Sequence, residues 1–385
     1  MSGRLLRLVC TAAVAAGIVL APVPAAAEPA PGTADDRTVA ELLTDLQQLY
    51  REAEKATETY NGTEERLREQ RAEVRRLDAE LARTRTSLHD SRGAAGRLAR
   101  QQYQSSGSLS PYLRLLLARD PQHAVDQGHV IGRLARERVE TVGRLTGDEK
   151  RADELSRRSR EALGRQAALA ERQERERDGV RERLRAVEAM LASLTPEQLA
   201  ALAELESSGI AEEQERFLAS GALGDGAKPS PGGESAVRFA VEQLGKPYEW
   251  GAEGPASYDC SGLTSVAWER AGTPIPRTSQ EQWARLDHVP LDELRPGDLV
   301  VYFPEATHVA LYLGDGMVVQ APRPGADVKV SPIAANPVLG AVRPDPGGEP
   351  VRRYTPPRLP AGATNGSDQG YSASYAPAAP DSSAR

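Results

Sequence analysis

From Leu42 the apolar residues recur in alternating steps of four and three: Leu42, Leu46, Leu49, Ala53, Ala56, Tyr60, Thr63, Leu67, Gln70, Val74, Leu77, Leu81, Thr84 and Leu88. Glu and Arg fill the flanks, the a/d seam of a left-handed coiled coil. At 1.5 Å per residue, the helix predicted over 36–102 would be a rod on the order of 100 Å long. Gly93, Gly96, Gly107 and Pro111 break the period. A second helical stretch, Val130 to Leu194, has a weaker seam through Leu155, Ala162, Leu169, Val180 and Val187. Two such stretches around a broken segment predict an antiparallel hairpin, each helix covering the other's apolar stripe.

Further on the pattern changes. Thr195-Pro196-Glu197-Gln198 has the N-cap, N1 proline and N3 glutamine of a capping box, and a helix is expected from Glu197 to Ala219. Gly, Pro and Ser dominate 221–232, read as a flexible linker. Residues 233–343 carry helical spacing at Glu234–Leu244 and Ser261–Ala271. Strand signals follow at Leu299–Phe303, His308–Leu313, Met317–Gln320 and Val328–Val330. Gly314-Asp315-Gly316 marks a hairpin between two of them. Residues 344–385, poor in large aliphatics, are expected to be a disordered tail. The fold class is α+β for 233–343, preceded by a helical region over 36–220.

Composition adds limits. The formal net charge of −7 disfavours a nucleic-acid binder, which needs a basic surface. Residues 1–27 have the positive start (Arg4, Arg7), apolar run and Ala25-Ala26-Ala27 end of a secretory signal peptide, so the chain is expected to be secreted and cell-wall associated. Cleavage would remove Cys10 and leave Cys260 as the one cysteine. In an exported protein such a cysteine points to intermolecular pairing or a reactive thiol, or else is a small buried hydrophobe. Cys260 follows a turn-rich stretch and opens a helix, where the dipole favours thiolate. His308 begins a strand, and a turn at 314–316 puts Gln320 on the same face, able to fix the imidazole while its other nitrogen meets the thiol. Cys260, His308 and Gln320 thus make a chemically complete set for nucleophilic catalysis. No HExxH or cysteine cluster indicates a metal, no cofactor is expected, and GxSxG is absent.

Several motifs stand in order: Gly245-Lys246-Pro247-Tyr248-Glu249-Trp250-Gly251, Tyr258-Asp259-Cys260-Ser261-Gly262, Pro276-Arg277-Thr278-Ser279-Gln280, Leu294-Arg295-Pro296-Gly297-Asp298 and His308-Val309-Ala310-Leu311-Tyr312. Together they resemble the NlpC family of papain-like cell-wall cysteine peptidases. The resemblance implies a papain-like fold with Cys260 as nucleophile, His308 as base and Gln320 as the orienting residue, a position more often His in that family. It further implies that Tyr248 borders the oxyanion site and that Asp259 and Ser261 contact the substrate peptide near its amino group. The implied activity is that of a peptidoglycan endopeptidase cutting stem peptides at the γ-D-glutamyl–diamino acid bond.

The first half resembles the coiled-coil modules of secreted division hydrolases and their activators. For those modules the implied partner is a division ABC transporter of the FtsEX type, met through a tip like Tyr103-Gln104 with Leu113, Leu115, Leu116 and Asp120-Pro121. The apolar tip either docks on such a partner or is capped by its own short helices. The rod is expected to shield the Cys260 cleft until a partner relieves it. The alternatives are an inactive scaffold or activator on the same fold, and a cell-wall amidase.

Overall fold

In a computed structural model, residues 37–105, 113, 120–224 and 226–368 are described. The expected signal segment, most of the expected tip (Leu115, Leu116 and Leu117 included) and residues 369–385 lie outside them.

Helix α1 (Val39–Ser105) and α2 (Pro121–Ala192) form the expected hairpin. Its antiparallel sense shows in cross-contacts whose residue numbers run oppositely. Ser91 Oγ donates to Asp148 (2.6 Å), Ser159 Oγ to Asp78 (2.8 Å) and Gln70 Nε2 to the Ala162 carbonyl (3.1 Å). The seam is buried at Leu42, Leu46, Leu67, Leu77 and Leu81, against Leu155, Ala162, Val180 and Val187 of α2. Asp120 caps α2 through the His123 amide. The capping box at Thr195 starts α3 (Pro196–Ala219) as its residues dictate.

A second stripe on α1 does not follow the seam. Tyr50, Glu54, Thr57, Glu58 and Asn61 are all buried, at helical spacing, and four of the five are polar. They face the α+β domain.

That domain begins two residues inside the expected linker, because Ser230 caps a helix with Pro231 at its first position: α4 (Pro231–Glu242). Then come α5 (Cys260–Arg270), α6 (Ser279–Arg285), β1 (Asp287–Val289), β2 (Leu299–Tyr302), β3 (His308–Gly314), β4 (Met317–Gln320), β5 (Lys329–Pro332) and β6 (Val338–Arg343). The sheet order is β1-β6-β2-β3-β4-β5, antiparallel throughout. One face packs on α4 and α5 through Val237, Leu263, Trp268, Val301, Val309 and Leu311. The other face presents Val300, Tyr302, Ala310, Tyr312 and Val318 to Phe217 of α3 and to Leu223. Gln214 of α3 fixes that contact from both ends of its amide, giving to the Gly316 carbonyl (3.0 Å) and taking the Ala334 N–H (3.1 Å). The helical region therefore supplies one layer of the domain's own core. Gly297 (φ 103°) lets the turn before β2 press on α4, since a Cβ there would lie 2.5 Å from Gly233 Cα.

Residues 344–368 depart from the disordered tail expected of them. Val351 N–H bonds to the Pro229 carbonyl, and the Arg295 guanidinium holds the Gly348 carbonyl (2.7 Å) and the Asp345 carboxylate (2.8 Å). The Val330 N–H of edge strand β5 reaches the Ala363 carbonyl at 2.8 Å, and Ala363 packs on the core. The segment is poor in large aliphatics but covers an open edge whose backbone groups need partners.

Leu77 is 1% exposed and Leu163 is 46% exposed. Leu77→Ala should cost about 2–5 kcal/mol through lost burial and a cavity. Leu163→Ala should stay within ~0.5 kcal/mol. Thermal unfolding followed by far-ultraviolet circular dichroism checks both.

Candidate active site

The turn-rich stretch before α5 delivers Cys260 to the helix's first position, with Asp259 as N-cap accepting from Gly262 N–H at 2.6 Å. Helix α5 lies against β3, and Cys260 shares a core cluster with Val309, the neighbour of His308. The register Leu311↔Val319 and Tyr312↔Val318 carries Gln320 diagonally past His308. Its Oε1 lies 2.7 Å from His308 Nε2. The structure thus brings Cys260, His308 and Gln320 into one place, all at most 3% exposed. Tyr248 is buried with them, and burial and then the Cys260 charge push its hydroxyl above the ordinary range.

Asp259 is more fully engaged than a substrate ligand needs to be. Besides capping α5, its carboxylate takes Gly251 N–H (2.9 Å) and pairs with the Arg277 guanidinium (2.7 and 3.1 Å). Arg277 also donates to Ser261 Oγ at 2.8 Å. Burial alone would lower the affinity of Arg277 for its proton, but Asp259, Glu58 and Glu253 together raise it.

The second stripe of α1 enters this cleft. Glu58 Oε1 accepts from Ser261 Oγ (2.8 Å) and lies 3.9 Å from Cys260 Sγ. Its Oε2 accepts from the N–H (2.7 Å) and hydroxyl (2.9 Å) of Ser279, at the start of α6. One turn later Asn61 Nδ2 donates to Asp259 at 3.0 Å; one turn earlier Glu54 Oε1 stands 3.7 Å from His308 Nδ1. Tyr60 meets Trp250 edge to face, ring centres 4.9 Å apart. The fit is incomplete beyond the cleft. A cavity of about 860 Å³ opens between α1, α3 and the sheet, and Glu54 Oε2 has no partner among the described residues.

The electrostatics follow from this packing. The helix start was expected to favour a thiolate at Cys260. Instead burial, then the carboxylates of Glu58, Asp259 and Glu54, push the thiol well above its ordinary value. Burial lowers His308 to about 4. Both groups rest neutral. Burial raises Glu54 to about 8 and Glu58 to about 7, Asp259 adding to the latter.

Glu54, Glu58 and Asn61 escaped the sequence reading, and Arg277 and Ser279 stood in a quoted motif without a role. The signal for the α1 residues was a polar stripe at helical spacing, which an apolar period cannot flag.

Residues 245–340 match the model of the NlpC/P60 family. A relative in Mycobacterium tuberculosis, named a probable endopeptidase, is 28% identical over 348 residues, covering 79% of this chain and 89% of its own. A probable endopeptidase of Corynebacterium glutamicum is 47% identical over 89 residues, 23% of this chain and 43% of that one. Among solved structures, the NlpC/p60 domain of the peptidoglycan hydrolase SagA is 31% identical (29% of this chain, 97% of that chain, TM-score 0.28). RipD of Mycobacterium tuberculosis, titled a non-catalytic NlpC/p60 domain protein, is also 31% identical (29% and 96%, TM-score 0.27).

The buried carboxylates make the packing of α1 on the site pH-dependent. Glu54 and Glu58 hold protons up to about 8 and 7 in the closed cleft but release them near 4.5 in water, so closing takes up protons. Their contribution is whole below 4.5 and is lost as the pH rises through 7 to 8. His308, lowered from 6.5 to about 4, acts in the opposite sense, with one proton against two. Trp250 emission should therefore shift between about pH 5 and about pH 8 as Tyr60 withdraws, and Glu54→Gln with Glu58→Gln should flatten the curve. An unchanged curve in the double variant would assign the transition to other groups.

Proposed function

We propose that the protein, whose residues 245–340 match the NlpC/P60 family model, is a secreted peptidoglycan endopeptidase that cuts stem peptides at the γ-D-glutamyl–diamino acid bond, using Cys260, His308 and Gln320 and held closed by α1. The observation that carries this reading is the Glu58 carboxylate seated among Ser261, Ser279 and Cys260. A γ-linked glutamyl residue keeps a free carboxylate on its α-carbon. The donors that hold Glu58 are suited to that group, so α1 blocks the cleft by offering what the substrate offers.

With α1 withdrawn, water reaches the cleft and two nearby carboxylates leave. The thiol then becomes more acidic and the imidazole more basic. His308 Nδ1, the ring nitrogen not bonded to Gln320, takes the Cys260 proton. The thiolate adds to the scissile carbonyl, and amides at the start of α5 are placed to stabilise the oxyanion. His308 returns the proton to the leaving nitrogen as the C–N bond breaks. Water, deprotonated by the same imidazole, then hydrolyses the thioester.

Closure is built to be reversible. A buried unpartnered polar atom costs about 1–3 kcal/mol, and Glu54 Oε2 is one. That penalty lowers what a partner at the far end of the hairpin, such as the FtsEX-type transporter that the resemblance implies, has to supply to open the cleft.

Deleting the helical region is a poor test, because α3 covers a face of the sheet. Point variants are cleaner. Glu58→Ala should raise muropeptide hydrolysis by the full chain on the order of tenfold or more, given several polar contacts near 1 kcal/mol each. Cys260→Ala should abolish hydrolysis in that background, with products weighed by mass spectrometry. Persistent hydrolysis without the thiol would remove the cysteine mechanism. A silent Glu58→Ala chain that still binds muropeptide would favour a non-catalytic wall-binding protein of the RipD kind.

A further inference from the structure

Gln320 carries no charge, and an amide can face either way. Oriented by its oxygen it accepts the Nε2 proton of His308. Reversed, it would donate to Nε2 and drive the imidazole proton to Nδ1, the nitrogen that must stay free to receive the thiol proton. Something beyond the sheet register has to choose between the two.

The surroundings of Gln320 make that choice. Its Nε2 donates to Ser331 Oγ at 2.8 Å and approaches Asp368 Oδ1 at 3.4 Å. Ser331 Oγ in turn donates to Asp368 Oδ1. Lys329 Nζ stands 2.9 Å from the same carboxylate oxygen, and both ends of that pair are nearly buried, 6% and 10% exposed. Ser331 has a single hydroxyl proton. A carboxylate facing a lysine has none to give, so Ser331 must point its proton at Asp368 and keep lone pairs for Gln320. Gln320 must then turn its NH₂ to Ser331 and its oxygen to His308.

We infer that Asp368, from the strap of residues 361–368, is a positioning residue of the active site, fixing the His308 tautomer through a one-way hydrogen-bond relay His308–Gln320–Ser331–Asp368. The relay gives a neutral third residue the anionic end that it lacks, two groups removed from the imidazole. Its catalytic meaning rests on the reading of His308 as the base. Its existence does not.

The strap is held independently of the relay. Ala363 joins the edge of β5, Arg323 Nε donates to the Asp368 carbonyl (3.2 Å), and Ser367 Oγ donates to Glu206 of α3 (2.7 Å). The carboxylate thus arrives on a segment anchored to the sheet and to the helical region.

The test reads protons rather than turnover. In the full chain labelled with ¹⁵N-histidine, long-range ¹H–¹⁵N correlation spectra should show His308, identified by its loss in His308→Gln, protonated at Nε2 and bare at Nδ1. Asp368→Asn can offer Ser331 a donor, and it should move roughly half or more of His308 to the Nδ1–H form; Asp368→Glu should restore the native pattern. Because Asp368→Asn leaves Lys329 buried without its counter-charge, Lys329→Met with Asp368→Asn is the second variant, expected to fold and to show the same shift. Native-like Nε2–H spectra in both folded variants would overturn the relay, as would an Nδ1–H wild type. Hydrolysis surviving Cys260→Ala would refute the triad and leave the relay standing.

Discussion

A carboxylate from one end of the chain lies buried beside the only cysteine of the other half, and the state of the active site follows from it. Glu58 can be there because Ser261 and Ser279 supply three donors and Arg277 stands behind them. Burial first, and then the charge of Glu58, Asp259 and Glu54 where they are ionised, works against a thiolate at Cys260. Burial under α1 works against a charged imidazole at His308. One helix therefore both buries this cysteine and histidine and disfavours their charged forms, and the side chains it brings are acids rather than an apolar plug.

The two contacts between the helical region and the α+β domain differ in kind. On the sheet, α3 offers Phe217 to Tyr302 and Tyr312, an apolar contact that water cannot replace. In the cleft, α1 offers Glu54, Glu58 and Asn61, whose partners water or a polar peptide can satisfy equally well. Removing the first would expose a core; removing the second exposes a binding site. The polarity of the buried stripe separates the part of the interface that holds the domain together from the part that can let go.

The seam of α1, the capping box at Thr195, and the strands carrying His308 and Gln320 were legible because each depends on local period or turn chemistry. So were Cys260 at a helix start and the diagonal with Gln320, since a hairpin turn fixes register. The three-residue β1 and the seven-residue α6 were missed, being too brief to show a period, and β6 was missed because Gly340 interrupts its apolar run. The stripe from Tyr50 to Asn61 was missed because tertiary partners at sequence distances near 200 residues, not periodicity, bury it. The strap at 361–368 reads as disorder by composition, and its order comes from an open sheet edge and a lysine that no local pattern reveals.

The position of α1 in the chain also sets a sequence in time. A ribosome makes Glu54 and Glu58 about two hundred residues before Cys260, so the helix that covers the thiol exists before the thiol does. Asp368 comes last, after every other group of the site has been made. The polar stripe of α1 is therefore already made when Cys260 emerges, and the Ser331–Asp368 contact can form only after every strand of the sheet has been made.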